Sequence, residues 1–283
     1  MPLRINNSFS ATSQRNINTA ANRLGSNFAQ LSSGKRITSA AVDAAGLAIS
    51  AQMTSDIASA GQAQQNISDG MAMSRVAEGA LGSVSDMLGR ARELSVQAAN
   101  GTLSDQQRDI INNELNSIKS EIDRVSGVTE FNGTKLLDGT MAPGSATQVN
   151  VQAGIQNTAA DKINMNVVDK TDTATLGISG TDVSTQQGAQ NALSAIDGAL
   201  QKVSASRSNI GALQNRFDSA AANLGVYKEN LSAANSAISD LDYAQAASDF
   251  AKNQTLSQAA TKTMKQGMKI QSQGIGALLN IKG

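Results

Sequence analysis

The sequence predicts a mainly α fold: a long coiled-coil-like helical bundle built from paired N- and C-terminal segments, with a small β-hairpin region in the middle. Three observations carry this expectation. The 283-residue chain has only two prolines, Pro2 and Pro143, so nothing rigidly interrupts a helix between them or beyond the second. Hydrophobic residues make up 40 % of the chain but aromatics only 2 %, so much of the apolar content is alanine, which suits long helices packed closely together. One heptad position reads Ile196, Val203, Ile210, Phe217, Leu224, Leu231 and Ile238 without a break. That exceeds the roughly four heptads that mark a sustained inter-helix seam.

Each element can be placed in order. Near the N-terminus Ile17, Ala21, Leu24, Phe28 and Leu31 recur at alternating spacings of four and three, the seam of a first helix. The stretch LSSGKRITSAAVDAAGLAIS (31–50) follows, and its Gly-Lys pair resembles a phosphate-binding loop. That pattern needs a glycine where Ala29 stands and a Ser or Thr where Arg36 stands, so the nucleotide reading fails. Gly34, Lys35 and Arg36 are instead expected to form a joint between two helices. Gly34 supplies flexible or left-handed backbone there, and Arg36 is a contact or solvated charge beside it.

A helix over 44–100 carries Ala80, Val84, Met87, Ala91, Leu94 and Ala98 on its seam, and one over 104–128 carries Ile111, Leu115, Ile118, Ile122 and Val125. Residues 127–185 are rich in Gly, Thr, Asn and Asp, with turn signals at FNG (131–133) and LDG (137–139). Within them TQVNVQ (147–152) and KINMNVV (162–168) read as the strands of a hairpin, in a β region spanning 140–185. The last long helix of the middle runs over 188–238, with its full seam from residue 193 extending roughly 70 Å at about 1.5 Å per residue. The companion heptad position, Leu193, Leu200, Arg207, Gln214, Ala221, Lys228 and Asn235, turns polar along its length. This predicts register control or a seam partly covered by another chain.

Composition narrows the function. With no cysteine and no histidine, thiol nucleophiles, disulfides, ordinary zinc sites and the usual neutral-pH general base are removed. No catalytic, cofactor-binding or metal-binding residues are assigned and no cofactor is expected. Asp43, Glu78, Glu93 and Glu114 do not compel a metal. Met71, Met73, Met87, Met264 and Met268 read as packing filler. The N-x-Ser/Thr patterns at Asn66, Asn100, Asn132, Asn230 and Asn253 are too common to carry meaning. The N-terminus has no apolar h-region and is not read as a secretory signal. No run of about 18 apolar residues occurs, so no membrane insertion is expected.

Net charge is zero but uneven. Residues 1–42 and 250–283 carry basic groups and no acids, while the residues between hold thirteen basic and 23 acidic groups, a net of −10. Basic ends lacking aromatic platforms read as solvated helix faces, so no nucleic acid is expected.

At both ends the residues resemble bacterial flagellin. The N-terminal likeness includes LSSGKRITSAAVDAAGLAIS, NISDGMAMSRVAEGAL (66–81), RARELSVQAANGT (90–102) and EIDRVSGVTEFNGTKLLDG (121–139). The C-terminal likeness includes LSAIDGALQKVSASRSNIGALQNRFDSAAANL (193–224) and ISDLDYA (238–244). The resemblance implies a structural subunit that self-assembles into the helical flagellar filament for motility, not an enzyme. It implies that 1–43 and 239–283 form a channel-lining helical domain and 44–238 a rod-like core. The short middle implies a minimal member without bulky outer domains. Location is implied to be extracellular, reached unfolded through the flagellar secretion apparatus without a cleavable signal peptide.

The implied partners are the chain itself, an export chaperone, a cap protein, a hook-junction protein and, for the monomer, a Toll-like innate immune receptor. Arg90, Leu94 and Glu114 fall at the family positions of receptor or subunit contact. The sequence departs from the family pattern at Gly89, at AVD (41–43) and in its C-terminal LLNIKG. A hook–filament junction protein and an unrelated coiled-coil interaction protein are the alternatives.

Overall fold

The computed structural model describes residues 8–280; residues 1–7 and 281–283, which close the two expected terminal segments and include part of LLNIKG, lie outside the described residues. The elements are α1 (Ser8–Ser33), α2 (Ala44–Ala98), α3 (Asp105–Val128), β1 (Glu130–Phe131), β2 (Thr134–Lys135), β3 (Asn150–Gln152), β4 (Lys162–Asn164), α4 (Thr173–Leu176), α5 (Gln186–Ser239) and α6 (Tyr243–Asn280). The chain divides into two compact units, one of residues 1–55 with 230–283 and one of 56–229.

In the 56–229 unit the helices α2, α3 and α5 bury one continuous core. Along α2 the buried line is Ala60, Ala63, Ile67, Gly70, Ser74, Ala77, Leu81, Val84, Leu88, Ala91, Ser95 and Ala98, alternating steps of three and four. Ala80 and Met87, expected on this seam, are half-buried beside it. Along α5 the line is Ala189, Ala192, Ile196, Ala199, Val203, Ser206, Ile210, Leu213 and Phe217. The heptad position from Ile196 to Leu224 is therefore buried, and Leu231 and Ile238 are half-buried.

Its expected companion is corrected. Ala192, Ala199, Ser206 and Leu213 fill that line, while Leu193, Leu200 and Gln214 are half-buried and Arg207 is exposed. The physical reason is size: small side chains let the helix backbones approach, and the leucines one step further round cover the flank. Polar companions still cross-link the helices. Gln214 Nε2 donates to Glu78 at 2.9 Å in this unit. In the other unit Ser50 Oγ donates to Asn235 Oδ1 at 2.7 Å.

A capping box starts α3, with the Ser104 side chain and Gln107 bonding each other's backbone N–H. The β region holds two antiparallel hairpins. One turns at Asn132 and Gly133, with Phe131 opposite Thr134. The other pairs Val151 with Ile163, and its strands are shorter than the sequence suggested. Asn166, buried, stops the ladder early: its side chain accepts from Val149 N–H at 2.8 Å and donates to Thr147 O at 2.8 Å and Thr140 O at 3.1 Å. The helix α4 was not expected. Asp172 caps its N-terminus and Gly177, at φ 83°, closes it.

Asp172 also makes this corner acid-sensitive. Burial alone would push its carboxyl up, but bonds from Lys170 and from Thr175 outweigh that and hold it down at about 2. A depressed carboxylate contributes stability that is complete above its ordinary 3.8 and is lost as pH falls through about 2. Acid titration followed by amide exchange should therefore loosen residues 173–178 across that window, before the long helices respond.

In the other unit α1 packs against α6. The face α1 turns inward is Ile17, Ala20, Leu24, Asn27 and Leu31. Two expected seam residues are corrected: Ala21 is exposed, and Phe28 is 65 % exposed. Asn27 takes the inward place instead, with its Nδ2 buried and without a hydrogen-bond partner. Such an orphan donor costs about 1–3 kcal/mol. Among the described residues only small or half-buried side chains line this pair, so the α1–α6 contact is weakly held within one molecule.

Candidate assembly site at the chain joint

The last carbonyls of a helix have no partner within it and carry partial negative charge. At the end of α5 these groups are met by the segment that follows α1. Arg36 N–H donates to Ser239 O at 2.8 Å, and the Arg36 guanidinium donates to Ile238 O through Nη2 at 2.6 Å and Nε at 3.1 Å. Lys35 and Asp240 form an isolated antiparallel bridge, and Leu241 N–H donates to Gly34 O at 3.0 Å. Gly34 itself closes α1: its N–H bonds Gln30 O at 2.9 Å and its φ is 68°. A β-carbon at Gly34 would lie 2.8 Å from the Tyr243 hydroxyl, at the first residue of α6. Gly34, Lys35 and Arg36 thus clasp residues 238–241, far away in sequence. Arg36 also lies 3.9 Å from Asp43.

The same device recurs in the other unit. Arg108, buried on α3, donates to Ala98 O and Asn100 O at 3.0 Å each, finishing the C-terminus of α2. Lys202 on α5 donates to Thr175 O at 2.7 Å, finishing α4. Sequence reading found none of these caps. Isolated basic residues carry no local signal for the distant carbonyls they reach.

Arg90 and Glu114 meet across α2 and α3 at 2.8 Å, with Glu93 a further 3.1 Å partner of the guanidinium. The Glu114 bond, then Glu93, raises the Arg90 pKa above its ordinary value. Leu94 does not join them at the surface. It is 1 % exposed and belongs to the core beneath. Beside the ion pairs, β-carbons added at Gly79, Gly82 or Gly89 on α2 would meet nothing within 4 Å. Val96, on the same helix, is 52 % exposed. Among the described residues no group of His, Cys, Asp or Glu is placed to hold a metal ion, and no helix is long and apolar enough to cross a membrane.

Long helices with small-residue seams, capped by side chains from distant segments and bearing exposed apolar residues, define a helical structural subunit. Two family models match: the bacterial flagellin N-terminal helical region over residues 5–142 and the bacterial flagellin C-terminal helical region over 193–278. The chain is 36 % identical to the flagellin of Bacillus subtilis over 293 aligned positions, covering 93 % of this chain and 96 % of that one. It is also 36 % identical to a flagellar filament 30.7 kDa core protein of Treponema maltophilum, covering 90 % and 91 %. A hook-associated protein structure from Vibrio parahaemolyticus shares the fold, with a TM-score of 0.57 at 20 % identity over 70 % of this chain and 99 % of that one.

The chain belongs to the bacterial flagellin family. It is a structural filament subunit, not an enzyme, and it self-assembles into the extracellular filament of the flagellum. Between the two family regions the described residues hold β3, β4, α4, the start of α5 and loops, leaving no large outer domain.

Proposed function

We propose that residues 1–43 and 239–283 line the filament channel as a helix pair, and that 44–238 form the rod-like core carrying most subunit contacts. The joint at 34–36 carries this reading, because a clasp between residues 202 positions apart commits both chain ends to one structure. The assembly contact of the core is assigned to the face of α2 with Gly79, Gly82 and Gly89, together with the Arg90–Glu114 pair; Leu94 supports that pair from the core. In a soluble chain glycine there brings only cost, about 1 kcal/mol each against alanine. Open space above all three suits the close approach of a second copy.

The Gly82→Ala, Gly89→Ala double variant is expected to raise the stability of the soluble chain by about 1–2 kcal/mol. Elongation from seeds should slow at the same time. A chain that is stabilised and still elongates at the parental rate would remove this face from the contact.

An export chaperone, a cap protein and a hook-junction protein are the further partners proposed for the chain. Exposure of Arg90 and Glu114 favours one more reading, contact with a Toll-like innate immune receptor by the monomer. Alanine at both positions should then abolish signalling in receptor-bearing reporter cells; an unchanged response would dismiss it.

A further inference from the structure

Two Asn-Gly pairs occur in the chain, Asn100–Gly101 and Asn132–Gly133, and the structure treats them in opposite ways. Asn100 is held on three sides. Its Oδ1 accepts from Thr102 N–H at 3.1 Å, its carbonyl accepts from the buried Arg108 guanidinium at 3.0 Å, and its N–H donates to Gln97 O at 3.2 Å. The glycine that follows has the Gln186 side chain in van der Waals reach, 3.5 Å from where a β-carbon on Gly101 would lie.

Asn132 has none of this. It is exposed at the tip of the β1–β2 hairpin with φ 48°, and among the described residues its side chain has no hydrogen-bond partner. Gly133 sits in open space at φ 78°. The hairpin that holds the tip pairs only two residues per strand, Glu130 with Lys135 and Phe131 with Thr134, so its opening costs little.

We propose that Asn132 is a site of spontaneous backbone modification, selected by the fold over Asn100. The deprotonated amide nitrogen of Gly133 attacks Cγ of Asn132. A C–N bond forms, the side-chain amide leaves as ammonia, and a five-membered succinimide results. Water then opens the ring at either carbonyl, giving aspartate or the β-linked isoaspartate. The first adds a negative charge beside the Lys135–Glu130 ion pair, whose N···O distance is 2.6 Å. The second adds a methylene to the main chain within a two-residue turn, which cannot keep that register. The strain reaches the core directly, because Leu136 and Leu137, buried at 1 % and 0 % exposure, follow the second strand.

The test is peptide mapping by mass spectrometry of the unpolymerised full-length protein, incubated in mildly alkaline buffer, with isoaspartate located by fragmentation. Asn100 is the internal comparator, and a parallel incubation in denaturant removes the fold. Asn132 is expected to convert faster than Asn100 by on the order of tenfold in the folded protein, the weight of the bonds that hold Asn100. The two rates should converge in denaturant. Conversion of Asn100 at an equal or higher rate in the folded chain overturns the proposal. A difference that persists undiminished in denaturant overturns it too, because the fold would not be its cause.

Discussion

Phe217→Ala will lower the stability of the 56–229 unit by about 3–5 kcal/mol, the usual cost of emptying an aromatic site in a core. The residue is 0 % exposed and is the largest of the fully buried side chains. Its ring rests on Gly70 of α2: a β-carbon there would come within 2.8 Å of the ring edge and 3.0 Å of Val151 on β3. One aromatic therefore fills the notch where α2, α5 and the hairpin converge. Denaturant unfolding monitored by circular dichroism measures the loss. A change below about 1 kcal/mol would mean that the ring is not the keystone of this packing.

Gly34→Val is expected to act on assembly more than on the folded core. Left-handed backbone at 68° is strained for a β-branched residue, and the new β-carbon would press on the Tyr243 hydroxyl. Together these cost about 1–3 kcal/mol, which corresponds to roughly fivefold to a hundredfold in an equilibrium. The cost falls on a pair of helices that has little to spare, with a buried unpaired Asn27 amide and, among the described residues, no large buried side chain. Amide exchange at Arg36 and Leu241 should accelerate, and the protein concentration needed for elongation should rise by about the same factor. Unaltered exchange at those two amides would show that the clasp does not depend on Gly34.

Much of the architecture was legible because a helix repeats its buried face with a fixed period. The periodic stretches read over 44–100, 104–128 and 188–238 coincide with α2 (Ala44–Ala98), α3 (Asp105–Val128) and α5 (Gln186–Ser239), while α4 carries no such period. What periodicity does not resolve is a single step round the helix. Ala192 and Leu193 are neighbours, and so are Asn27 and Phe28; hydrophobicity favours the larger residue of each pair. The fold places the smaller one inward, because close backbone approach rewards small side chains and leaves the larger ones on the flank or in solvent. Gly34 was readable from its position between two helical patterns. The role of Arg36 was not, since its acceptor is the end of a helix that only the folded chain brings near. Asn166 was missed for the same reason: one amide ties strand and loop together through tertiary geometry alone.

Self-assembly through the paired ends and the helical core is tested most directly by seeded elongation of the purified full-length chain, with the product reconstructed by electron cryomicroscopy. The predicted result is a helical tube whose channel wall is built from α1 and α6 and whose next layer contains the α2 face bearing Gly82, Gly89 and Arg90 between subunits. A chain that stays monomeric with competent seeds, or a polymer in which that face is turned to solvent, would contradict it.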